Sequence, residues 1–119
     1  WNARFTYHGF QHVEISGYEQ PFTAEDVEGL VIHTDLPEAG RFECDDDLIN
    51  RIARAAWWST VGNYHGIPTD CPHREKNGWT GDAHLSSEQV LFNFHAGPSY
   101  RKWMADLRDA QRPNGQLPG

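Results

Sequence analysis

One stretch of the chain concentrates groups that could act on a sugar. Residues 69–84 read TDCPHREKNGWTGDAH and combine three carboxylates, an arginine and a tryptophan with one proline and two glycines. Cleavage of a glycosidic bond needs a carboxylic acid to protonate the leaving oxygen and a carboxylate on the opposite side of the ring. An arginine can bind sugar hydroxyls, and an aromatic ring can pack on the apolar sugar face. The candidates are Asp70, Arg74, Glu75, Trp79 and Asp82.

Each of these side chains also has an ordinary structural explanation. Asp70 could accept a hydrogen bond within a turn, and Arg74 and Glu75 could form a surface ion pair worth under about 1 kcal/mol. Trp79 could fill a core, and Asp82 could cap a helix that begins directly after it. Residue types alone leave the chemical and the structural explanations open.

The first third of the chain has the pattern of β-strands. Apolar and polar residues alternate over residues 5–15, and residues 28–36 are rich in branched side chains. Both patterns predict strands, and Pro37 and Gly40 are expected to end the second one.

The rest of the chain has a helical pattern interrupted by a loop. Apolar residues at three- and four-residue spacing predict a helix over residues 46–63 and two more over 82–96 and 98–111. The segment 66–81 has no period and contains several prolines and glycines. We therefore predict a long ordered loop there, and such loops are usually functional.

Two details of the helices can be predicted as well. The aspartate run 45–47 is interpreted as a helix cap rather than a calcium site, because the regular ligand spacing of a calcium loop is absent. Trp57, Trp58 and Trp103 occupy helical positions and are expected to lie in the core of a helical barrel.

The order of residues in the loop resembles a known family. GIPTDCPHREKNGWTGDAH is similar to the active-site segment of the bacterial α-L-rhamnosidases of glycoside hydrolase family 78, which runs D-C-P-x-R-(x)-E-x-x-G-W-x-G-D. The resemblance covers nearly the whole chain, including KWMADLRDAQRPNGQLPG at its end. It implies an α+β fold, with the last strands of a β-sandwich domain and a linking strand over residues 1–40. The first helices of an incomplete (α/α)6 barrel would then occupy residues 41–119.

The resemblance also implies a role for each candidate residue. Glu75 matches the general acid, Asp70 and Asp82 match carboxylates that bind rhamnose hydroxyls, Arg74 matches a sugar-binding arginine, and Trp79 lines the pocket. The family inverts the anomeric configuration with a water activated by a second glutamate. No residue after Asp82 matches that base, so this chain alone is expected to bind weakly and to be inactive.

The neighbouring Arg74 creates a conflict for a general acid. Glu75 would have to keep its proton near neutral pH, whereas an adjacent guanidinium favours the ionised carboxylate. The hypothesis is therefore that Arg74 points away from Glu75, towards Asp70 or the sugar.

Net charge and hydropathy argue against nucleic acid and a membrane as partners. The net charge of −7 disfavours nucleic acid, and no run approaches the roughly 20 apolar residues of a membrane span. The expected partners are rhamnose-containing glycosides or polysaccharides, together with self-association through exposed barrel-helix faces. The first residue is not methionine, which suggests a start within a larger protein. The compartment, the aglycone and the oligomeric state are left open.

Neither a metal nor a cofactor is expected. His65, Cys71, His73 and His84 are spaced unlike any familiar zinc pattern. A nucleophilic Cys71 is disfavoured because Pro72 separates it from His73 without an obvious route to activate the thiol.

Two rival functions use the same residues differently. A carbohydrate-binding module, or a catalytically silent relative, would use Asp70, Arg74 and Trp79 for recognition only. A structural adaptor would have no affinity for rhamnose.

Overall fold

The computed structural model describes residues 2–118, and its regular structure is mainly helical. The three helices are α1 (Asp47–Gly62), α2 (Thr80–Asn93) and α3 (Gly97–Asp109). Two short strands, β1 (Tyr64–His65) and β2 (Ile67–Pro68), pair antiparallel between α1 and the loop. Gly66 makes the turn between them with φ +82°, a left-handed conformation that favours glycine.

The predicted α+β fold with β-sandwich strands is wrong for the described residues. Residues 2–40 contain a 3-10 turn at Ala24–Asp26 and one isolated bridge between Glu38 and Phe94, and no strand. The side chains that suggested strands are largely exposed, including Val13 at 61% and Val31 at 63%. A strand needs a continuous partner for its backbone hydrogen bonds and a surface against its apolar face, and this segment makes only scattered backbone hydrogen bonds to the rest of the described chain.

The first helix agrees with its prediction. The Asp46 carboxylate accepts hydrogen bonds from the backbone N–H groups of Leu48 at 2.8 Å and Ile49 at 3.2 Å. Asp46 is therefore the N-cap, which confirms the capping interpretation of the aspartate run. Before the cap, the Asn50 side chain binds both the N–H and the carbonyl of Cys44.

The later helices agree with prediction only in part. Helix α2 begins at Thr80, so Asp82 lies in its first turn instead of capping it, and the capping alternative for Asp82 is wrong. A carboxylate in that first turn still interacts favourably with the helix dipole. Pro98 lies in the first turn of α3, a position proline tolerates well.

The core joins α1, β1, α2 and the start of α3. Its buried members are Val61, Tyr64, Val90, Phe94 and Ala96. Trp57 packs against this cluster and Trp103 is buried, as predicted, whereas Trp58 is 44% exposed and the prediction for it is wrong.

The chain is flat and open. Its radius of gyration is 18.0 Å, against about 14 Å for a compact domain of this length. Its accessible surface is 9795 Å², about half as much again as the roughly 6,600 Å² of a compact monomer of 13.6 kDa. Much apolar surface on these helices is therefore uncovered. Within residues 2–118, no helix is long and apolar enough to cross a membrane.

Candidate active site

The candidate loop is closed at its base by Asp70 and Asn77. The backbone N–H of Asp70 donates to the Asn77 carbonyl at 3.0 Å, and the N–H of Asn77 donates to the Asp70 carboxylate at 2.8 Å. These two bonds hold the ends of the loop together just after strand β2. Asp70 thus accepts a backbone hydrogen bond within the loop, as its structural explanation predicted.

The same bonds influence the charge of Asp70. Desolvation on its own would raise the pKa of this carboxyl, but hydrogen bonds from the Asn77 backbone and from the Cys71 thiol and backbone outweigh it and lower the pKa. Asp70 is therefore ionised at neutral pH and has only acceptor atoms on its side chain.

Arg74 and Trp79 hold the carboxylate of Glu75 between them. An Arg74 Nη2 donates to one carboxylate oxygen at 3.1 Å, and the Trp79 indole N–H donates to the other at 2.9 Å. The backbone N–H of Glu75 donates to the Cys71 sulfur at 3.1 Å. The hypothesis that Arg74 points away from Glu75 is therefore wrong. The contact is a single hydrogen bond and not a bidentate one.

The ion pair between Arg74 and Glu75 is weak, so another hydrogen-bond partner could replace it. The two side chains are 76% and 41% exposed, and surface pairs of this kind contribute at most about 1 kcal/mol. Trp79 is itself 41% exposed, so it does not fill a core. Its ring is accessible to a ligand while its N–H holds the carboxylate.

A pocket of about 390 Å³ lies between α1 and α2. Asp70 and Asp82 line it, whereas Arg74, Glu75 and Trp79 do not. The five predicted residues thus form two groups, a carboxylate pair at the pocket and a three-residue cluster on the loop. Asp70 connects them, because it both lines the pocket and closes the loop.

Two amides in the wall of this pocket were not among the residues predicted from the sequence. Asn63 and Gln89 each line it, and each has one buried side-chain atom without a hydrogen-bond partner in the described part of the chain. Buried polar atoms normally find a partner, so these two amides are exceptions in the described part of the chain. Amides on a helix face are common, and nothing in the sequence distinguished these two.

The residues considered for metal binding are occupied with other contacts or dispersed. His65 stacks on Tyr7 at 3.8 Å and contacts the carbonyl of Ile32 at 2.9 Å. Burial lowers the pKa of His65, so its ring is neutral at neutral pH. Between residues 2 and 118, no three His, Cys, Asp or Glu side chains are grouped to hold a metal ion. Cys44 and Cys71 are both free thiols.

The described residues thus form a helical domain in which a loop carries an acid, an arginine and a tryptophan, next to a pocket lined by two carboxylates. The family model for the bacterial alpha-L-rhamnosidase six-hairpin glycosidase domain matches residues 37–119, and that for the concanavalin-like domain matches residues 1–33. The chain therefore belongs to the bacterial alpha-L-rhamnosidase family, as its loop predicted. The domain boundary at residue 40 stays a prediction.

Known relatives agree with this assignment. An alpha-L-rhamnosidase of Formosa agariphila is 43% identical over 113 residues, which are 95% of this chain and 12% of the relative. One from Streptomyces avermitilis is 35% identical over 116 residues, 97% of this chain and 11% of the relative. The chain thus spans about one eighth of the length of these proteins.

Solved structures show the same backbone. The alpha-L-rhamnosidase from Dictyoglumus thermophilum superposes with a TM-score of 0.94 and 49% identity, over 98% of this chain and 13% of that structure. The native enzyme from Aspergillus terreus has a TM-score of 0.87 and 39% identity, over 93% and 13%.

Proposed function

We propose that the complete protein containing this chain hydrolyses terminal α-L-rhamnose from glycosides or rhamnose-containing polysaccharides. The observation that carries this proposal is the Glu75 carboxylate, presented on a closed loop between the Arg74 guanidinium and the Trp79 indole. The relatives' names support the same substrate class. The reaction as proposed needs no cofactor.

Glu75 is proposed as the general acid. It would give its proton to the glycosidic oxygen as the bond to the anomeric carbon breaks. A bound sugar would take over Arg74 as a hydrogen-bond donor, because the exposed pair with Glu75 is weak. Removing the guanidinium favours the protonated acid, which resolves the conflict noted in the sequence.

Asp70 and Asp82 are proposed to bind the hydroxyls of the rhamnose ring. Both line the pocket, and the ionised Asp70 can accept hydroxyl protons. Because Asp70 also closes the loop that carries Glu75, hydroxyl binding and protonation would occur at adjoining places. Trp79 would contact the apolar face of the ring.

The second half of the reaction is assigned outside this chain. We propose an inverting mechanism in which a water attacks the face opposite Glu75, activated by a glutamate further along the complete protein. Residues 1–40 would belong to a preceding domain, and residues 41–119 would begin the catalytic domain. The resemblance of the loop to its family supports both assignments.

Substitution of Glu75 by glutamine in the complete enzyme tests the proposal. We expect kcat to fall by about 10²–10⁴-fold, because glutamine keeps the shape but has no proton to transfer. The loss should be larger for an alkyl rhamnoside than for a nitrophenyl rhamnoside, since a good leaving group needs less protonation. Steady-state kinetics on both substrates measures this, with rhamnose affinity retained.

Glu88→Gln is the matched control, because it makes the same change on the exposed part of α2. Full turnover in Glu75→Gln would overturn the acid role of Glu75. Rhamnose binding without turnover in the unmodified complete protein would favour the silent carbohydrate-binding relative. Absence of any rhamnose affinity in the unmodified protein would favour the structural adaptor.

A further inference from the structure

The residue directly after the proposed acid has an unusual backbone. Lys76 has φ +54°, in the left-handed region that a residue with a side chain rarely adopts. Such a conformation persists only when surrounding contacts hold it, and it is most frequent at functional sites. The contacts of Lys76 are therefore informative about what maintains the loop.

Lys76 is held by a residue 69 positions earlier in the chain. Its ammonium donates to the Tyr7 carbonyl at 2.7 Å and lies 4.7 Å from the centre of the Tyr7 ring. The same ring stacks on the His65 imidazole at 3.8 Å with an interplanar angle of 6°. His65 in turn contacts the carbonyl of Ile32 at 2.9 Å. The Lys76 side chain thus ends against a fixed aromatic stack.

A second contact joins the same segment to the other side of the loop. The backbone N–H of Gly9 donates to the Pro72 carbonyl at 3.0 Å. A Cβ on Gly9 would come within 2.7 Å of the Pro72 ring, so the approach requires glycine. Residues 7–9, here called the strap, therefore hold the loop at Pro72 and at Lys76, on both sides of Glu75.

We propose that Lys76 is a positioning residue for Glu75, anchored by the strap. This inference depends on the proposed function, because it assumes that Glu75 is the acid. The Lys76 ammonium bonds to Tyr7, whereas the Glu75 carboxylate bonds to Arg74 and Trp79, so Lys76 acts through the backbone that the two residues share. A carboxyl group displaced by about 1 Å from its productive position can lose about 10²-fold in rate.

The neutral state of His65 supports this arrangement. Burial lowers the pKa of its imidazole, so at neutral pH no second positive charge faces the ring that the Lys76 ammonium contacts. Segments that match two different family models, residues 1–33 and 37–119, thus meet at the loop. The strap makes the geometry of the site depend on the first of them.

The kinetic test replaces Lys76 in the complete enzyme. Lys76→Met keeps the aliphatic stem but removes the ammonium, and we expect kcat on a nitrophenyl rhamnoside to fall about 10- to 100-fold. KM should stay within about twofold and the shape of the kcat–pH profile should be unchanged, because binding groups and acid are intact. Lys76→Arg should restore most of the rate.

Lys102→Met is the matched control, since Lys102 forms an exposed pair with Asp106 on α3, away from the loop. A kcat of Lys76→Met equal to that of the control would overturn the proposal. A displaced pH profile with an undiminished plateau would also overturn it, because Lys76 would then act through its charge.

Hydrogen exchange separates this inference from the proposed function. In Tyr7→Ala and Gly9→Ala, the amides of residues 70–79 should exchange about tenfold faster than in the unmodified enzyme, since the loop loses its anchor. Tyr18→Ala, which removes an exposed ring that contacts Phe22 and not the loop, should leave them unchanged. Faster exchange in an enzyme that cannot cleave rhamnosides would support the strap but overturn the acid role of Glu75. Unchanged exchange in an active enzyme would overturn the strap alone.

Discussion

At the scale of single residues, Asp70 shows how one carboxylate serves the loop and the pocket together. One of its oxygens accepts the Asn77 N–H that closes the loop, and the residue also faces the space between α1 and α2. Its turn role and its proposed sugar-binding role are compatible, because a carboxylate has several acceptor positions. The structural role of Asp70 therefore does not exclude its proposed functional role.

The lowered pKa of Asp70 predicts an acid-sensitive loop. Its ordinary value is 3.8 and its folded value is lower, so Asp70 stabilises the folded chain fully above about pH 3.8. This contribution is lost as the pH falls through the folded value, because the carboxyl then takes up a proton. Asp70→Asn should remove this part of the pH dependence. Urea unfolding midpoints between about pH 5 and pH 2, followed by tryptophan fluorescence, measure it.

Asp45→Asn provides the comparison for that experiment, since it removes the same charge at the start of α1. An identical decline of the midpoint in Asp70→Asn and in the unmodified chain would contradict the prediction.

At the scale of elements, the starts of α1 and α2 have different causes. Helix α1 begins at a side-chain cap, whereas α2 begins at Thr80 directly after the loop without one. The start of α2 therefore depends on how the loop is folded, and the loop depends on the Asp70 and Lys76 contacts. This dependence links the position of Asp82 to that of Glu75.

The cap of α1 makes a quantitative prediction. Asp46→Ala removes the acceptor of the Leu48 and Ile49 N–H groups and should lower the free energy of unfolding by about 1 kcal/mol. Asp45→Ala, its neighbour without a cap bond, should change it by less than about 0.5 kcal/mol. Urea denaturation of both variants gives the comparison, and equal losses would argue against the cap.

At the scale of the whole molecule, the open shape leaves apolar helix faces uncovered. Leu85 and Phe92 lie seven residues apart on one side of α2 and are 86% and 72% exposed. Large contiguous apolar surfaces are usually covered by another part of a protein or by a partner. Self-association of these 119 residues remains a proposal that this surface supports.

The isolated chain should therefore associate in a concentration-dependent way. We expect a sedimenting mass above 13.6 kDa that rises with concentration, because association buries the exposed faces. The double substitution Leu85→Ser and Phe92→Ser should shift the chain towards monomer, and Glu88→Ser on the same helix should not. A monomer at all concentrations, measured by analytical ultracentrifugation, would disprove this expectation.

Short-range features of this protein follow from its sequence alone. The order of residues in the loop indicates the family, the three-to-four residue period locates the helices, and the aspartates before Leu48 predict the cap. Each of these depends on residues within a few positions of one another. Their backbone hydrogen bonds form locally, so the sequence contains the required information.

Other features were decided only by the tertiary structure. The alternating segments near Val13 and Val31 did not form strands, because a strand requires a neighbouring strand. A local sequence pattern does not provide that neighbour. Arg74 binds Glu75, and Lys76 reaches Tyr7 across 69 positions of the chain. The Lys76–Tyr7 contact exists only when distant segments pack together, so no local pattern contains it. Arg74 and Glu75 are neighbours, but the directions of their side chains did not follow from the sequence. The identity of the candidate site was therefore readable in the sequence, whereas its geometry depended on the fold.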